Sequence, residues 1–463
     1  MRRILKTVAL ASYVLILLAM AAATIVEKWW GSAIAHSCVY GSWWFVLLWA
    51  LLAASGLLLF FGRRVARPAV LGVHMALAII MLGALLTRVL AVQGVVRLRV
   101  GNPPGSIFLV REGGGYHGAQ LPFSLSLLQF DVVCRDGSST PADYRSLLLV
   151  SDDEGSREAV VSMNNIYSHK GYRLCQLSYD PDMLGATLAV NRDPWGIAVT
   201  YCGYALLFLS LFWLIVDPHG TFRRRLRDFS PSVGGPPAVV RGALRLVLLA
   251  AFLLLSYVLA RRWIIGGHVP LSNVYETALV VAWWTMLITL LPGGRRWTVL
   301  VSGVLVSGFF LLMSRIGIMD SSIGSLTPVL DSPLLALHVS LVIVGYALLS
   351  LTFFSSLAGL LLRSREGELS SLGRLLLYPA VAFLAAGIFV GAIWANISWG
   401  SYWSWDAKET WALITLMVYV VPLHAKALLS PRPLHVYLVL AFVSVLMTYF
   451  GVTFLLGGLH SYA

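Results

Sequence analysis

Long apolar runs alternate with short polar loops along most of the chain. Eleven runs are long enough to cross a bilayer, for which a helix needs about 20 predominantly apolar residues. They lie at about 7–26, 43–62, 69–91, 194–216, 239–260, 275–292, 297–313, 334–362, 375–395, 410–428 and 434–456. This pattern predicts a polytopic α-helical membrane protein with about 11 transmembrane helices.

The segment 92–193 has a different pattern. Short runs in which apolar and polar residues alternate, such as 95–100 and 172–177, are separated by turn sequences at 113–115 and 152–155. A period of two is typical of a strand that buries one face. We therefore predict one small β-rich extracytoplasmic domain at about 92–193.

A linker rich in Pro, Gly and Ser at 230–238 divides the chain into two halves. The first half, 1–229, holds four predicted helices and the β-rich domain, and the second half, 239–463, holds about seven helices. The first apolar run follows basic residues and contains small residues at 19–23, as a signal peptide would. The run is long for a signal peptide, so we interpret it as a retained helix.

The composition excludes the main classes of soluble protein. Hydrophobic types make up 58% of the 463 residues and charged types only 12%, about half the charged share of an average soluble domain. A cytosolic enzyme, a nucleic-acid-binding protein or a disordered chain needs more polar residues than this. The net charge of +13 is not a nucleic-acid signal, because the basic residues sit between apolar runs that would contact membrane lipid.

The loop charges predict the orientation, because cytoplasmic loops carry an excess of Lys and Arg. With the N-terminus inside, eighteen basic residues flank the inner ends of the runs: Arg2, Arg3, Lys6, Arg63, Arg64, Arg67, Arg223, Arg224, Arg225, Arg227, Arg241, Arg295, Arg296, Arg363, Arg365, Arg374, Lys426 and Arg432. Leaving aside 92–193, six flank the outer ends: Lys28, Arg88, Arg261, Arg262, Arg315 and Lys408. The β-rich domain and the C-terminus are therefore predicted to lie outside, and Arg261-Arg262 is a local exception.

The four cysteines contain no CxxC pair, so the sequence shows neither a thioredoxin motif nor a paired-cysteine metal site. We interpret them as small buried residues. Cys134 and Cys175 both fall in the segment predicted to lie outside, where a disulfide is chemically possible. The sequence leaves that pairing open.

Tryptophan is concentrated in the segment 394–411, which holds five of the 16 tryptophans of the chain together with Gly400, Asp406 and Glu409. An interfacial aromatic belt explains one or two tryptophans at a helix end. Five in one outer loop favour a platform for a flat apolar ligand.

Four of the ten histidines are the best placed as functional candidates, because an ionisable residue in or beside a span is costly. His74 lies about 10 Å along its helix from the inner face, at 1.5 Å per residue, and His424 lies at an inner helix end. His338 and His460 lie outside, near the tryptophan segment. Each alone is typical of a core histidine. Two pairs favour axial ligands of haem iron, and haem is a flat apolar molecule.

The other histidines have weaker positions. We interpret His117, His169 and His219 as solvated and His36 and His435 as interfacial. His268 lies beside the outer loop at 270–276, and we assign it no role.

Several of these motifs resemble those of one family. The stretch 399–411 resembles the tryptophan-rich WWD motif of haem-handling membrane proteins. The loop at 272–276, the surroundings of His338 and His424, and the terminal 458–462 resemble the ResC (CcsA) half of the system II cytochrome c synthase. His74, 171–176, 179–182 and 191–195 resemble the ResB half. The resemblance covers nearly the whole chain as a natural ResB–ResC (CcsB–CcsA) fusion, although a β-rich domain of about 100 residues is compact for the family.

The resemblance implies cytochrome c biogenesis at a bacterial inner membrane. Haem b, with its iron reduced, would enter from the cytoplasm at a site held by His74 and His424. It would move to an outer site held by His338 and His460, against Trp399, Gly400, Trp403, Trp405, Asp406 and Trp411. There the protein would act as a holocytochrome c synthase, a lyase that joins the haem vinyl groups to the CxxCH thiols of apocytochrome c as thioethers.

This activity would depend on positioning rather than on a catalytic acid or base. Asp406 and Glu409 would orient backbone groups or haem propionates. The client thiols must arrive reduced, because the thiolate is the nucleophile, and a chain without a CxxC pair implies thiol-reducing partner proteins.

Two other functions compete with this one. A haem exporter or chaperone would hand haem on without attaching it, but the ResB-like half favours the synthase. A b-type cytochrome subunit would pass electrons through stacked haems, which leaves the tryptophan segment unexplained. The spectrum of the purified protein separates these: one haem that transfers to a CxxCH protein favours the synthase, and two tightly held redox-cycling haems favour the cytochrome.

Overall fold

The computed structural model describes residues 1–61, 67–112, 115–135, 140–229, 236–291, 297–316 and 319–456. Its α-helices are α1 Arg2–Trp30, α2 Ser32–Ala35, α3 Trp43–Phe61, α4 Pro68–Leu90, α5 Gly196–Val216, α6 Thr221–Asp228, α7 Ala238–Gly266, α8 Val274–Leu290, α9 Trp297–Met313, α10 Pro333–Leu361, α11 Glu366–Trp399, α12 Ala407–His424 and α13 Pro431–Leu446. π-Helical turns form at His36–Tyr40 and Met447–Leu456, and a short 3₁₀ helix forms at Pro328–Leu330.

Eight helical segments in the described ranges are long and apolar enough to cross a membrane: Arg2–Trp30, Trp43–Phe61, Pro68–Leu90, Gly196–Asp228, Ala238–Gly266, Pro333–Leu361, Arg363–Trp399 and Pro431–Leu456. Val274–Leu290 and Trp297–Met313 are apolar but shorter, and α12 occupies the remaining predicted run. The multi-pass membrane class is confirmed, whereas the count of eleven spans stays a prediction.

The segment between α4 and α5 forms the predicted β-rich domain, called the sheet domain below. Its strands are β1 Val92–Arg99, β2 Gly105–Glu112, β3 Gly115–Cys134, β4 Pro141–Asp152, β5 Gly155–Ser162, β6 Tyr167–His169, β7 Tyr172–Tyr179 and β8 Gly185–Arg192. They form one eight-stranded antiparallel sheet in the order β5-β4-β3-β2-β1-β8-β7-β6.

The sheet curls until distant strands touch. Ser146 on β4 donates a buried hydrogen bond of 2.7 Å to Gln176 on β7, and the rings of Tyr144 and Tyr179 stack with centroids 5.2 Å apart. Alternate residues of the strands fill the interior, including Phe108, Leu125, Leu148, Leu174 and Leu188. The alternation along the sequence therefore correctly predicted a half-buried sheet.

Two membrane helices continue into the centre of the sheet. Strand β1 follows α4 and pairs with β8, which leads into α5. The two helices pack closely, because a Cβ atom at Gly83 would lie 2.2 Å from Thr200 Oγ1 and one at Gly203 would lie 2.6 Å from Ile80. Small residues permit such close approach of helices in a membrane. The α4–α5 pair thus joins the sheet rigidly to His74, which lies on α4.

The charge exception at Arg262 has a structural explanation. Its guanidinium donates to Glu276 Oε1 at 3.0 and 2.9 Å, and the other carboxylate oxygen accepts from the backbone and side chain of Ser272. Glu276 is 1% exposed. A buried charge must be paired, so Arg262 neutralises Glu276 rather than reporting on the orientation of the loop.

Candidate functional site

The predicted inner histidines meet in the structure. The ring centroids of His74 on α4 and His424 on α12 lie 6.0 Å apart, with planes inclined by 70°. Each Nδ1 contacts the carbonyl one turn earlier in its own helix, Val70 at 2.7 Å and Val420 at 3.0 Å. Because a carbonyl oxygen only accepts, each ring must carry a proton at Nδ1, and in the neutral imidazole the lone pair is then at Nε2. That tautomer is the one that binds a metal through Nε2.

A neighbouring ring also orients His74. Phe60 on α3 stacks on its imidazole, with centroids 4.7 Å apart and planes inclined by 24°. His424 closes α12 and is exposed. The inner pair therefore combines one ring held within the helix bundle with one ring at its surface.

The tryptophan segment is a helix–loop–helix. Helix α11 ends at Trp399 and is capped by Gly400, whose φ of 76° is a left-handed conformation that favours glycine. Helix α12 begins after Asp406, whose carboxylate accepts from Lys408 N at 2.9 Å as an N-cap. Glu409 in the first turn accepts from the backbone and side chain of Ser404. Asp406 and Glu409 therefore shape the loop.

The aromatic rings of the segment meet edge to face rather than forming one flat surface. Trp394 and Trp399 are inclined by 64°, and Trp403 and Trp405 by 83°. Tyr40 stacks on Trp405, with centroids 4.9 Å apart and planes inclined by 9°. One face of Trp405 is thus already covered by a residue from the first half of the chain.

The remaining tryptophan of the segment anchors α12 to the first helix. Trp411 Nε1 donates to Thr24 on α1 at 3.2 Å. Further along α12, the carbonyl of Met417 accepts a hydrogen bond of 2.5 Å from the hydroxyl of Tyr13 on α1. Helices α1 and α12 therefore pack together over much of their length.

The same loop binds the α4–α5 junction. Tyr402 donates to Thr87 on α4 at 2.8 Å, and Thr87 donates to Asp193 at 2.6 Å. Asp193 also accepts from Gly196 N at 2.7 Å, where α5 begins. Helices α4 and α12 therefore each run from the tryptophan segment at one end to the His74–His424 pair at the other.

Of the predicted outer pair, only His338 lies in the described residues. It stands near the start of α10 and is half-buried, and its Nδ1 contacts the carbonyl of Gly387 on α11 at 2.7 Å. A Cβ atom at Gly391 would lie 2.5 Å from that nitrogen, so the glycine makes room for the imidazole. His460 lies outside the described residues.

Other histidines differ from their predicted surroundings. His435 was predicted to be interfacial, but it is fully buried, and its Nε2 contacts the carbonyl of Glu366 at 3.0 Å. His169 was predicted to be solvated, but its Nε2 lies 2.7 Å from the carboxylate of Asp152. That contact, with help from Lys170, lowers the pKa of Asp152 to about 2. His435 lies near a helix end and His169 lies in the sheet domain, and neither position in the sequence indicates the partner that the structure shows.

The cysteines of the sheet domain are thiols with different surroundings. Cys134 is exposed and Cys175 is buried. Burial raises the pKa of the Cys175 thiol to about 11. The thiol also touches the tryptophan segment, since a Cβ atom at Gly400 would lie 2.7 Å from Cys175 Sγ. Cys175 is therefore a packing residue beneath the end of α11.

Sequence reasoning missed the polar residues that join the sheet domain to the tryptophan segment. Arg173 on β7 donates to both the side chain and the carbonyl of Asn396, at 2.7 and 2.6 Å. Asn191 on β8 donates to the carbonyl of Gly400. Asn396 is 3% exposed. Arg173 and Asn191 fall in the motifs 171–176 and 191–195, and Asn396 is an amide in an apolar run, but none of these positions indicates its partner.

Comparison with known proteins agrees with this architecture. The model of the ResB-like family matches residues 62–194, and that of the cytochrome C assembly protein family matches residues 271–460. The cytochrome c biogenesis protein CcsA of Trieres chinensis is 31% identical over 310 residues, which cover 56% of this chain and 94% of that protein. CcsA of Chlamydomonas reinhardtii is 35% identical over 240 residues, covering 47% and 67%. Protein NrfI of Wolinella succinogenes is 37% identical over 238 residues, covering 48% of this chain but only 26% of NrfI.

The fold and these matches define a multi-pass membrane protein of c-type cytochrome assembly. The chain belongs to the cytochrome c biogenesis family that contains CcsA, and it carries a ResB-like segment in the same polypeptide. This confirms the resemblance to a ResB–ResC (CcsB–CcsA) fusion that the sequence motifs indicated.

Proposed function

We propose that this protein carries haem from the cytoplasmic side of a bacterial inner membrane to an outer site and attaches it there to apocytochrome c. The observation that carries the proposal is the meeting of His74 with His424. His74 lies in the ResB-like segment and His424 in the assembly-protein segment, so the pair forms only when both are present. The halves 1–229 and 239–463 thus act as one unit.

The ligand class follows from the donor set. Within the described ranges, no group of three or more His, Cys, Asp or Glu side chains is placed to hold a metal ion. Two imidazoles alone leave a transition metal short of ligands. Haem iron already has four pyrrole nitrogens and needs only two axial ligands, which paired histidines commonly supply. Haem b with reduced iron, handled as a substrate, therefore suits the His74–His424 pair.

The path runs along α12 and α4. The 18 residues of α12 span roughly 27 Å at 1.5 Å per residue, close to the thickness of the hydrocarbon core of a bilayer, about 30 Å. His424 would hold haem at the inner end, and Trp405, Asp406 and Trp411 lie at the other. His338 and His460 would supply the axial ligands at the outer end, with Trp399, Gly400 and Trp403 completing that site.

The attachment step needs positioning more than acid–base catalysis. Each client thiol adds across one haem vinyl group: a sulfur–carbon bond forms at one vinyl carbon and the thiol hydrogen passes to the other, with no net oxidation. Holding thiol and vinyl together lowers the entropic barrier. The thiols must arrive reduced, so thiol-reducing partner proteins act before this step.

The test is co-expression with an apocytochrome c in a bacterium that lacks its own maturation genes. Haem staining of the client on a denaturing gel would show the thioether bond. A matched client with CxxCH changed to SxxSH must stay unstained. Haem bound to this protein without client staining would instead favour an exporter or chaperone, and two tightly held redox-cycling haems would favour a b-type cytochrome.

A further inference from the structure

We infer that Asn164 is a positioning residue that ties the two haem-bearing elements of the outer site to the sheet domain. The inference rests on the proposed function, because it assigns a role within the outer site. Asn164 lies in the turn between β5 and β6, outside the membrane helices. It touches both α11 and the chain that leads into α10.

The first link joins the sheet domain to the entry of α10. The Nδ2 of Asn164 donates towards the carbonyls of Pro328, Val329 and Asp331, at 3.2, 3.4 and 3.4 Å. The segment then enters α10, where His338 follows Asp331 by about two turns. The turn of Asn164 therefore restrains the segment that places His338.

The second link joins the same amide to the tryptophan segment. The Oδ1 of Asn164 accepts from the hydroxyl of Ser398, which is the residue before Trp399 at the end of α11. One primary amide thus donates to the His338 side of the outer site and accepts from the tryptophan side. Neither a carboxylate nor a hydrocarbon side chain offers both functions in this geometry.

The backbone at Asn164 requires an unusual residue. Its φ is 60°, in the left-handed region that non-glycine residues seldom occupy and that asparagine tolerates better than most. Glycine would fit this backbone but would remove both side-chain links. Asn164→Gly therefore keeps the backbone conformation and removes only the side-chain hydrogen bonds.

Further contacts from the sheet domain support the same arrangement. Arg173 holds Asn396 with two hydrogen bonds, and Asn191 donates to the carbonyl of Gly400. Arg135 reaches the other element, donating to the carbonyl of Leu326 at 3.3 Å. The sheet domain therefore contacts both the end of α11 and the segment that leads into α10. These contacts give the compact domain a role in positioning the outer site.

The test compares Asn164→Gly and Asn164→Asp with Met183→Gly. Met183 is a matched control, because it also has a positive φ, 57°, in the sheet domain, and its side chain is exposed. Two measurements are made on the purified full-length protein and on cells expressing it with an apocytochrome c. Hydrogen exchange reports the segments 325–332 and 398–406, and haem staining reports attachment to the client.

We expect Asn164→Gly to raise exchange in both segments. Asn164→Asp, whose carboxylate still accepts from Ser398 but cannot donate, should raise exchange in 325–332 alone. Both variants should lower attachment roughly tenfold or more, as misplacement of reacting groups does. Met183→Gly should change neither. Haem held at the inner pair should keep its wild-type spectrum and amount. Ser398→Ala should reproduce the defect in part, and Ser398→Thr, which keeps the hydroxyl, should restore attachment.

Two outcomes would overturn the inference. If exchange in both segments stays at wild-type rates in Asn164→Gly, the side chain of Asn164 does not restrain either segment. If exchange rises but attachment is unchanged, the link does not position the outer site. A wild-type protein that attaches no haem would instead refute the proposed function, and the exchange data would still decide whether Asn164 restrains the two segments.

Discussion

His74 on α4 and His424 at the end of α12 lie with their imidazole centroids 6.0 Å apart, although they belong to different halves of the chain. Two rings that share one metal ion, each bound through a nitrogen at about 2 Å, need a separation of this order. The Val70 and Val420 carbonyls fix both rings in the tautomer with a lone pair at Nε2.

This relationship predicts that His74→Ala and His424→Ala each lower the haem that co-purifies with the protein. Each change removes one of two axial ligands at the inner end. His219→Ala is a matched control at the same end, because its side chain is exposed and the neighbouring Arg67 uses only its backbone carbonyl. Wild-type haem content and activity in both variants would show that the pair is structural.

The second prediction concerns topology. An enzyme reporter active only outside the cytoplasm should be active when fused within 92–193 or in the loop 400–406, and inactive when fused at Ser230. The excess of basic residues at the inner helix ends predicts this orientation, and the bond between Asn191 and Gly400 puts the sheet domain and the loop on one side. High activity at Ser230, a position outside the described residues, would contradict it.

Much of the fold could be predicted from residue patterns. A helix in a membrane requires a continuous apolar run, whereas a half-buried strand requires apolar and polar residues to alternate. Long apolar runs predicted the helices, and alternation predicted the sheet domain. The number of spans was less accessible: α8 and α9 are only 17 residues each, and hydropathy does not tell a short buried helix from a spanning one.

Part of the candidate functional site could also be predicted from the sequence. The cost of an ionisable group in a span drew attention to His74, and the tryptophan density drew attention to Trp405. The links made by Arg173 and Asn164 were not accessible, because a polar residue in a strand or turn gives no sign of its partner in a distant helix. Arg262 was an exception to the loop-charge pattern for the same reason, because its partner Glu276 lies on the next helix and is not evident from the sequence.

The third prediction concerns thiol reactivity. With a pKa of about 11, only about one part in a thousand of Cys175 is thiolate at pH 8, and the thiolate is the reactive form. In a variant that keeps Cys175 alone, a maleimide should label the native protein slowly, faster as the pH rises, and label the denatured protein quickly. A variant that keeps only the exposed Cys134 provides the matched fast control. Equal labelling rates would contradict the burial of Cys175.

The fourth prediction tests the seat of His338. Gly391→Ala should lower cytochrome attachment, because its Cβ would lie 2.5 Å from His338 Nδ1 and must push the ring aside. Gly308→Ala in α9 is the matched control, since a Cβ there meets nothing within 4 Å. Both changes add one methyl group to a membrane helix. An equal effect of the two on attachment would show that His338 is not positioned through Gly391.

The last prediction tests the outer pair as ligands. His338→Gly and His460→Gly should each abolish cytochrome attachment, because each removes one axial imidazole and leaves a cavity of its size. Free imidazole can enter that cavity from the outer solution and bind the iron, so added imidazole should restore attachment in part. Glycine variants of His74 and His424 should respond less, since Phe60 covers the His74 ring and that pair lies at the other end of α12. Full attachment in either outer variant without imidazole would remove that residue from the ligand set. Lost attachment with an unchanged haem spectrum would point instead to client docking.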